Sequence, residues 1–255
     1  MGFSFEAVHA LDYEDLRPGY ALEAVRWIVE RAGGDRDAVV VDLAAGTGHL
    51  SRRFVELGMP VVAVEPAGNL RRVLKERLPA VRTIAGVAER MPFGDGAVAL
   101  VVVGNAFHHF DEVPAFAELR RILTPSGAAA LFWARSNDDR DPALAAIQRM
   151  VRETVDRAGR APTFVEAYDA WHHPPERVGG FGIIERRSFP HRYNVPSARL
   201  ADLYATSSDV ASLPESDRGA LLARIRELTR HLPATLEIAG SSDVDLLVRD
   251  GTPSP

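Results

Sequence analysis

The chain has 255 residues, 46% hydrophobic and 25% charged, which allows one large core and an added lobe in an ordinary soluble globular protein. Its formal net charge of −5 gives no support for a nucleic-acid-binding surface, which carries a basic excess. No cysteine occurs, so disulfides, thiolate metal sites and cysteine nucleophiles are excluded together.

Residues 1–37 predict an aromatic and charged lead-in, Phe3 to Tyr20, followed by a helix over 21–31. That helix places Leu22, Val25, Trp27, Ile28 and Val29 at near-helical spacing and stops at Gly33-Gly34. Met1 to Ala10 lacks a basic segment followed by an apolar one, and no apolar run approaches the ~20 residues that span a bilayer. The expectation is a cytoplasmic protein with no membrane partner. From 38 to 135, strands predicted at 38–43, 60–65, 81–85, 97–103 and 127–134 alternate with helices at 49–58, 67–77 and 112–123. That alternation, with short turns, describes a doubly wound, mostly parallel α/β sheet. Arg52-Arg53 and Arg71-Arg72-Lys75-Arg77 read as solvated helix faces.

The second part differs. A helix at 142–158 leads into a loop around Trp171-His172-His173-Pro174-Pro175, then a strand at 182–193. Helices follow at 200–204 and 216–231, a last strand at 244–248, and a frayed tail at 251–255. Residues 136–250 are thus expected to combine a helical, substrate-covering lobe with the last strands of the sheet. Phe164, Tyr168, Trp171, Tyr193 and Tyr204 supply either an apolar pocket or that lobe's own core.

Within the 38–135 core, Val39-Val40-Val41-Asp42-Leu43-Ala44-Ala45-Gly46-Thr47-Gly48 reads as a buried strand ending in an acid and a glycine turn. A turn built for phosphates presents backbone N–H groups and a helix N-terminus. Asp42 opposes that field and welcomes a ligand with an ammonium or a positive sulfur. S-adenosylmethionine carries both. A dinucleotide fingerprint also needs a third glycine, where this chain has Ser51. Glu65, closing the second strand, fits two ribose hydroxyls, and Ala88-Glu89 can meet an adenine edge. After the fourth strand, Asn105 and the adjoining backbone can take the amino-acid end of the ligand.

Four blocks in this order, VVDLAAGTGHL at 40–50, VVAVEP at 61–66, GVAERMPF at 86–93 and NAFHHFD at 105–111, resemble the class I S-adenosylmethionine-dependent methyltransferases. The likeness is to the methyltransferase type 11 group related to the ubiquinone-biosynthesis enzymes. It implies a Rossmann-like sheet of seven strands, its last pair antiparallel, and methyl transfer to a small-molecule metabolite that leaves S-adenosylhomocysteine. It also implies that Asp42, Ala44, Gly46 and Gly48 hold the methionine part, with Glu65 and Pro66 at the ribose, Ala88 and Glu89 at the adenine, and Asn105 and Ala106 beneath. Glu89 departs from an Asp often found there, and Pro125-Ser126-Gly127 from Pro-Gly-Gly. The lead-in Tyr13-Glu14-Asp15-Leu16-Arg17-Pro18-Gly19-Tyr20 resembles a segment that folds over the donor. There Tyr13 and Tyr20 would cover the sulfonium by cation–π contact, and Arg17 would meet a carboxylate of a ligand or of the protein.

A base is needed only if the acceptor must lose a proton. His109, then His108, are the candidates, with His172, His173 and His191 further options. No histidine pair has metal-ligand spacing, so no metal is expected. Two other functions stay open on the residues alone: a non-methylating protein on this fold, such as a donor-binding regulator or an enzyme using the lobe as a chamber, and an NAD-linked dehydrogenase. Nothing in the residues names the acceptor, the methylated atom or the oligomeric state.

Overall fold

The β-branched runs bounded by glycine become the central strands, as alternation of side chains to opposite faces dictates. The computed structural model describes residues 10–136, 141–159, 168–169, 171 and 177–249. Strands β1 (Val40–Leu43), β2 (Val61–Val64), β3 (Arg82–Ile84), β4 (Val98–Gly104), β5 (Leu123–Ser136), β6 (Arg177–Val178), β7 (Phe181–Pro196) and β8 (Thr235–Arg249) form one sheet in the order β3-β2-β1-β4-β5-β8-β7-β6. Pairings from β3 through β5 are parallel, while β8 runs antiparallel to both β5 and β7. The doubly wound sheet of seven full strands is therefore present. The eighth strand, two residues long, is an edge that folds back onto β7.

Helices α1 (Ala10–Leu16), α2 (Leu22–Arg31), α3 (His49–Glu56), α4 (Gly68–Arg77) and α5 (Glu112–Ile122) flank the core strands. Val40, Leu100, Val102 and Ala130 face Ile28, Phe54 and Leu74 from α2, α3 and α4. Their neighbours Val41, Val101, Val103 and Leu131 face Phe116, Leu119 and Ile122 from α5. Both faces are buried, which is why these strands read as nearly continuous apolar runs.

The added lobe is built on an overhang. β5 ends where Ser136 pairs with Gly240, but β7 and β8 continue together to Pro196 opposite Thr235. Val195, Leu236 and Ile238 on that overhang pack with α6 (Pro142–Arg157), α7 (Leu200–Ala205), α8 (Ser208–Ala211) and α9 (Glu215–Thr229) to make a separate core. Asp141 starts α6, its side chain accepting from the N–H groups of Ala143 and Leu144 at 2.8 and 3.1 Å, with Pro142 at the first helical position.

The lobe's last strand is longer than the expected 244–248. Its N-terminal half alternates Leu236 and Ile238, buried in the lobe, with exposed Thr235 and Glu237. The break at Gly240-Ser241-Ser242 marks the passage from lobe to core, and Ser242 there accepts a hydrogen bond from the Ala21 N–H at 2.9 Å. The lead-in, read as an aromatic and charged segment, contains α1. Helix α1 is tied to α3 by Glu14 with Arg52, to α4 by Asp15 with Arg77 at 3.4 Å, and to the lobe by Asp12 with Arg199 at 2.6 Å. Among the described residues, no helix is long and apolar enough to cross a membrane.

Candidate active site

Strand order reverses between β1 and β4, the position where open α/β sheets bind ligands beyond the strands' C-terminal ends. Among the described residues, the only two non-glycine residues with left-handed backbone follow those two strands: Ala44 (φ 54°) and Asn105 (φ 50°). Strain of this kind, on the order of 1–3 kcal/mol each, collects at functional sites. Gly46 (φ 59°) and Gly48 (φ 94°) complete the turn after β1. A Cβ on Gly48 would stand 2.9 Å from Leu78 Cδ1 and 3.1 Å from Leu74 Cγ, so α4 packs directly against this turn.

Asp42 lies under the turn, 1% exposed. Ser51 Oγ donates to Asp42 Oδ2 at 2.5 Å, while Asp42 Oδ1 has no hydrogen-bond partner among the described residues. Burial pushes the carboxyl up to about 7, against the lowering effect of Ser51. The nearby Glu65 carboxylate pushes it in the same direction as burial. A small cavity opens here, lined by Asp42, Ala44, Gly46, His49, Gly104 and Asn105 and closed from the lead-in by Arg17, Pro18 and Tyr20. An orphaned buried acceptor on such a cavity fits a ligand bearing an ammonium group.

Glu65 closes β2 with 3% exposure. Its Oε2 accepts from Gly46 N–H at 2.9 Å and its Oε1 from Ala67 N–H at 2.8 Å, so it braces the glycine turn. Pro66, exposed, gives its carbonyl to Arg71. Ala88 is buried, and Glu89 Oε1 accepts the Asp111 N–H at 3.0 Å, reaching the start of α5. The loop holding them is fastened to α5 through Met91 N–H to Glu118 at 2.6 Å and Arg121 Nη1 to the Phe93 carbonyl at 2.8 Å. Arg121 beside Glu118 holds that carboxyl below its usual range.

Asn105 has a structural task that its sequence position did not reveal. Its Oδ1 accepts the Ala134 N–H at 2.7 Å, and its own N–H reaches the Phe132 carbonyl at 2.9 Å, so it continues the β4–β5 pairing past the strand end. Tyr20 packs edge-on to Phe132, ring centroids 5.7 Å apart. A Cβ on Gly104 would fall 2.4 Å from the Tyr20 hydroxyl, so only glycine admits that ring. Arg17 Nε donates to Thr206 Oγ1 at 2.9 Å, joining lead-in to lobe. The side chain of Tyr13, like Phe164, His172, His173 and the tail at 251–255, lies outside the described residues.

A second cavity, of about 700 Å³, lies beyond Arg17, Pro18 and Asn105, which line both spaces. Volumes of this size accept metabolite-sized ligands. His108 and His109, on the short turn after Ala106, line it, as do Tyr193 and Tyr204. The histidine ring centroids are 3.9 Å apart. Desolvation, with help from His109 and Arg17, lowers His108 to about 3. Desolvation lowers His109 to about 4 although its surface is exposed, because that surface opens into the walled cavity. His191 lies elsewhere, near Tyr193 at 6.1 Å between ring centroids, and burial lowers it too. Tyr168 and Trp171 belong instead to the α5-side core. They are anchored to β8 by Tyr168 Oη to Asp243 at 2.7 Å and Trp171 Nε1 to Asp245 at 2.6 Å. No group of three or more acids and histidines among the described residues is placed to hold a metal.

Sequence reasoning missed the roles of Ser51 and His49, and missed Thr206, Arg135, Arg149 and Arg152. A signal existed for one wall: Ala145, Gln148, Arg149 and Arg152 stand at helical i, i+3, i+4, i+7 spacing, a polar stripe on α6.

Comparison with known proteins agrees with this geometry. Residues 41–131 match the family model described as a methyltransferase domain. An uncharacterized methyltransferase of Mycobacterium tuberculosis is 33% identical over 222 residues, covering 87% of this chain and 84% of that protein. A methyltransferase-like protein of Schizosaccharomyces pombe is 29% identical over 224 residues, covering 87% and 84%. A solved structure from Anaeromyxobacter dehalogenans, described as a candidate type II methyltransferase, superposes with a TM-score of 0.67 at 23% identity. It covers 91% of this chain and 97% of that one, and shares the fold. The fold and the turn at Asp42 define a Rossmann-like methyltransferase, and the chain belongs to the class I S-adenosylmethionine-dependent methyltransferase family.

Proposed function

We propose that this enzyme moves the methyl group of S-adenosylmethionine to a small metabolite held in the 700 Å³ cavity. One observation carries the reading. The cavity at the glycine turn, with its orphaned buried carboxyl, adjoins a larger one through the shared walls Arg17, Pro18 and Asn105. When bound, the donor supplies an already activated methyl group, so the protein's main contribution is alignment, which is able to lower a barrier by roughly 7–11 kcal/mol.

Asp42 holds the ammonium of the methionine part, and the backbone of Ala44, Gly46 and Gly48 approaches it closely. Glu65 takes the ribose hydroxyls, next to Pro66. Ala88 and Glu89 border the adenine, and Asn105 and Ala106 floor the methionine end. Tyr20 and Arg17 close the lead-in over this site, Arg17 by its bond to Thr206 in the lobe. His108 and His109 stay neutral across physiological pH and orient the acceptor as hydrogen-bond partners. With conjugate acids near 3 and 4, they are weak bases for any acceptor that ionises only at high pH.

The test is transfer of tritiated methyl from the donor to members of a metabolite panel, with S-adenosylhomocysteine formed in equal amount. Tight donor binding with no transfer to any acceptor refutes enzymatic methylation. NAD binding without donor binding refutes the donor site itself.

A further inference from the structure

Among the described residues, the walls of the larger cavity carry four arginines (Arg17, Arg135, Arg149 and Arg152) against one acid, Asp209. This concentration of positive charge occurs in a chain whose formal net charge is −5. Three separate elements contribute it: the lead-in, the end of β5 and helix α6. Several arginines elsewhere pair with carboxylates, such as Arg121 with Glu118 at 2.6 Å and Arg186 with Asp245 at 2.8 Å. Arg149 and Arg152, one turn apart on α6, have no ion-pair or hydrogen-bond partner among the described residues. Asp209 is already engaged in an interaction of its own.

Arg135 is prepared differently. Its guanidinium lies 4.1 Å from the centroid of the Tyr168 ring and 3.8 Å from Asp243 Oδ2. Tyr168 is itself held by Asp243, so the arginine is oriented while its charge is only partly balanced at that distance. A planar guanidinium fork held in place matches a carboxylate or phosphate and loses little freedom on binding it. Holding several such forks around one cavity costs repulsion, which an anionic occupant would relieve.

We infer that the methyl acceptor bears an oxyanion, a carboxylate or a phosphate, gripped by Arg149, Arg152 and Arg135. The inference rests on the larger cavity being the acceptor chamber. It places the reacting atom by His108 and His109, and assigns the arginines a specificity-determining role.

Saturation-transfer NMR titrations with benzoate, phenyl phosphate and the neutral benzamide test this, on the full chain with and without S-adenosylhomocysteine. The expected result is that at least one anion binds roughly tenfold or more tightly than benzamide, about 1.4 kcal/mol. The anion that binds more tightly identifies the group. Arg149→Gln with Arg152→Gln should abolish the preference, and Arg135→Gln should reduce it. Both α6 positions are exposed, so the thermal melt of the double variant should match the parent chain. Arg72→Gln with Lys75→Gln on α4, exposed and outside the cavity, should leave the preference intact.

Benzamide binding as tightly as the anions, no binding of either anion at millimolar concentration, or an unchanged preference in the α6 variant overturns the inference. So does an equal loss in the α4 variant, which would reduce the effect to overall charge. Failure of S-adenosylhomocysteine to bind speaks against the donor site, and the anion titration without it still decides the subsite.

Discussion

Asp42 offers the sharpest handle on the donor site, because its proton must leave when a cation arrives. In the ligand-free chain burial holds the carboxyl near 7 and its Oδ1 has no partner among the described residues. An ammonium placed against it favours the ionised form, so binding releases a proton wherever Asp42 starts protonated. At one pH unit below 7, about a tenth of the chains are ionised, and the affinity for S-adenosylhomocysteine should fall about tenfold, or about 1.4 kcal/mol. Calorimetry at pH 6 and pH 8, in buffers of different ionisation enthalpy, reads both the affinity change and the proton. Asp42→Asn should remove the pH dependence and lose roughly a hundredfold or more at pH 8, since breaking a buried ion pair costs about 3–5 kcal/mol. The ligand-free chain has the opposite sensitivity. A carboxyl raised above its ordinary 3.8 binds more protons folded than unfolded, so its contribution to stability declines as pH rises from about 4 to 7. Affinity that is flat from pH 6 to 8, or an Asn variant that binds like the parent, would refute the reasoning.

Further outcomes follow from neighbouring contacts. Ser51→Ala removes the donor that lowers Asp42, so the rise of donor affinity with pH should move to higher pH, visible in the same titrations. Gly48→Ala meets a left-handed φ of 94° and side-chain atoms of α4 within 2.9 Å, and should destabilise the chain by about 1–3 kcal/mol in urea unfolding. With His108 and His109 already neutral, the pH–rate profile between pH 6 and 8, measured at saturating donor, should show no limb that His109→Gln abolishes. A limb near pH 6.5 lost in that variant would contradict their assigned role.

The core was legible because a strand buried on both faces has no room for polar residues. Val40 to Leu43, Val61 to Val64 and Val98 to Val103 therefore stand out between glycine turns. The full length of β8 was hidden for the opposite reason. β8 carries Ser242, Asp243 and Asp245 in buried positions, acceptable only because Ala21, Tyr168, Trp171, Ser188 and Arg186 donate to them from distant sequence. No local pattern records such partners. The same holds at the site. Asp42, Gly46 and Glu65 follow from their place at strand ends, whereas the Asn105 amide spent on Ala134 and the Arg17 link to Thr206 follow from tertiary contact alone. The acceptor wall lay half in view, as a polar stripe on α6 whose meaning depends on which cavity it faces.

A crystal structure with S-adenosylhomocysteine bound tests the central claim most directly. The account predicts the ligand's ammonium within hydrogen-bond distance of Asp42 Oδ1, its ribose at Glu65, and its sulfur opening toward the cavity of His108 and His109. A ligand seated with its adenine in that larger cavity, or with Asp42 left untouched, would contradict it.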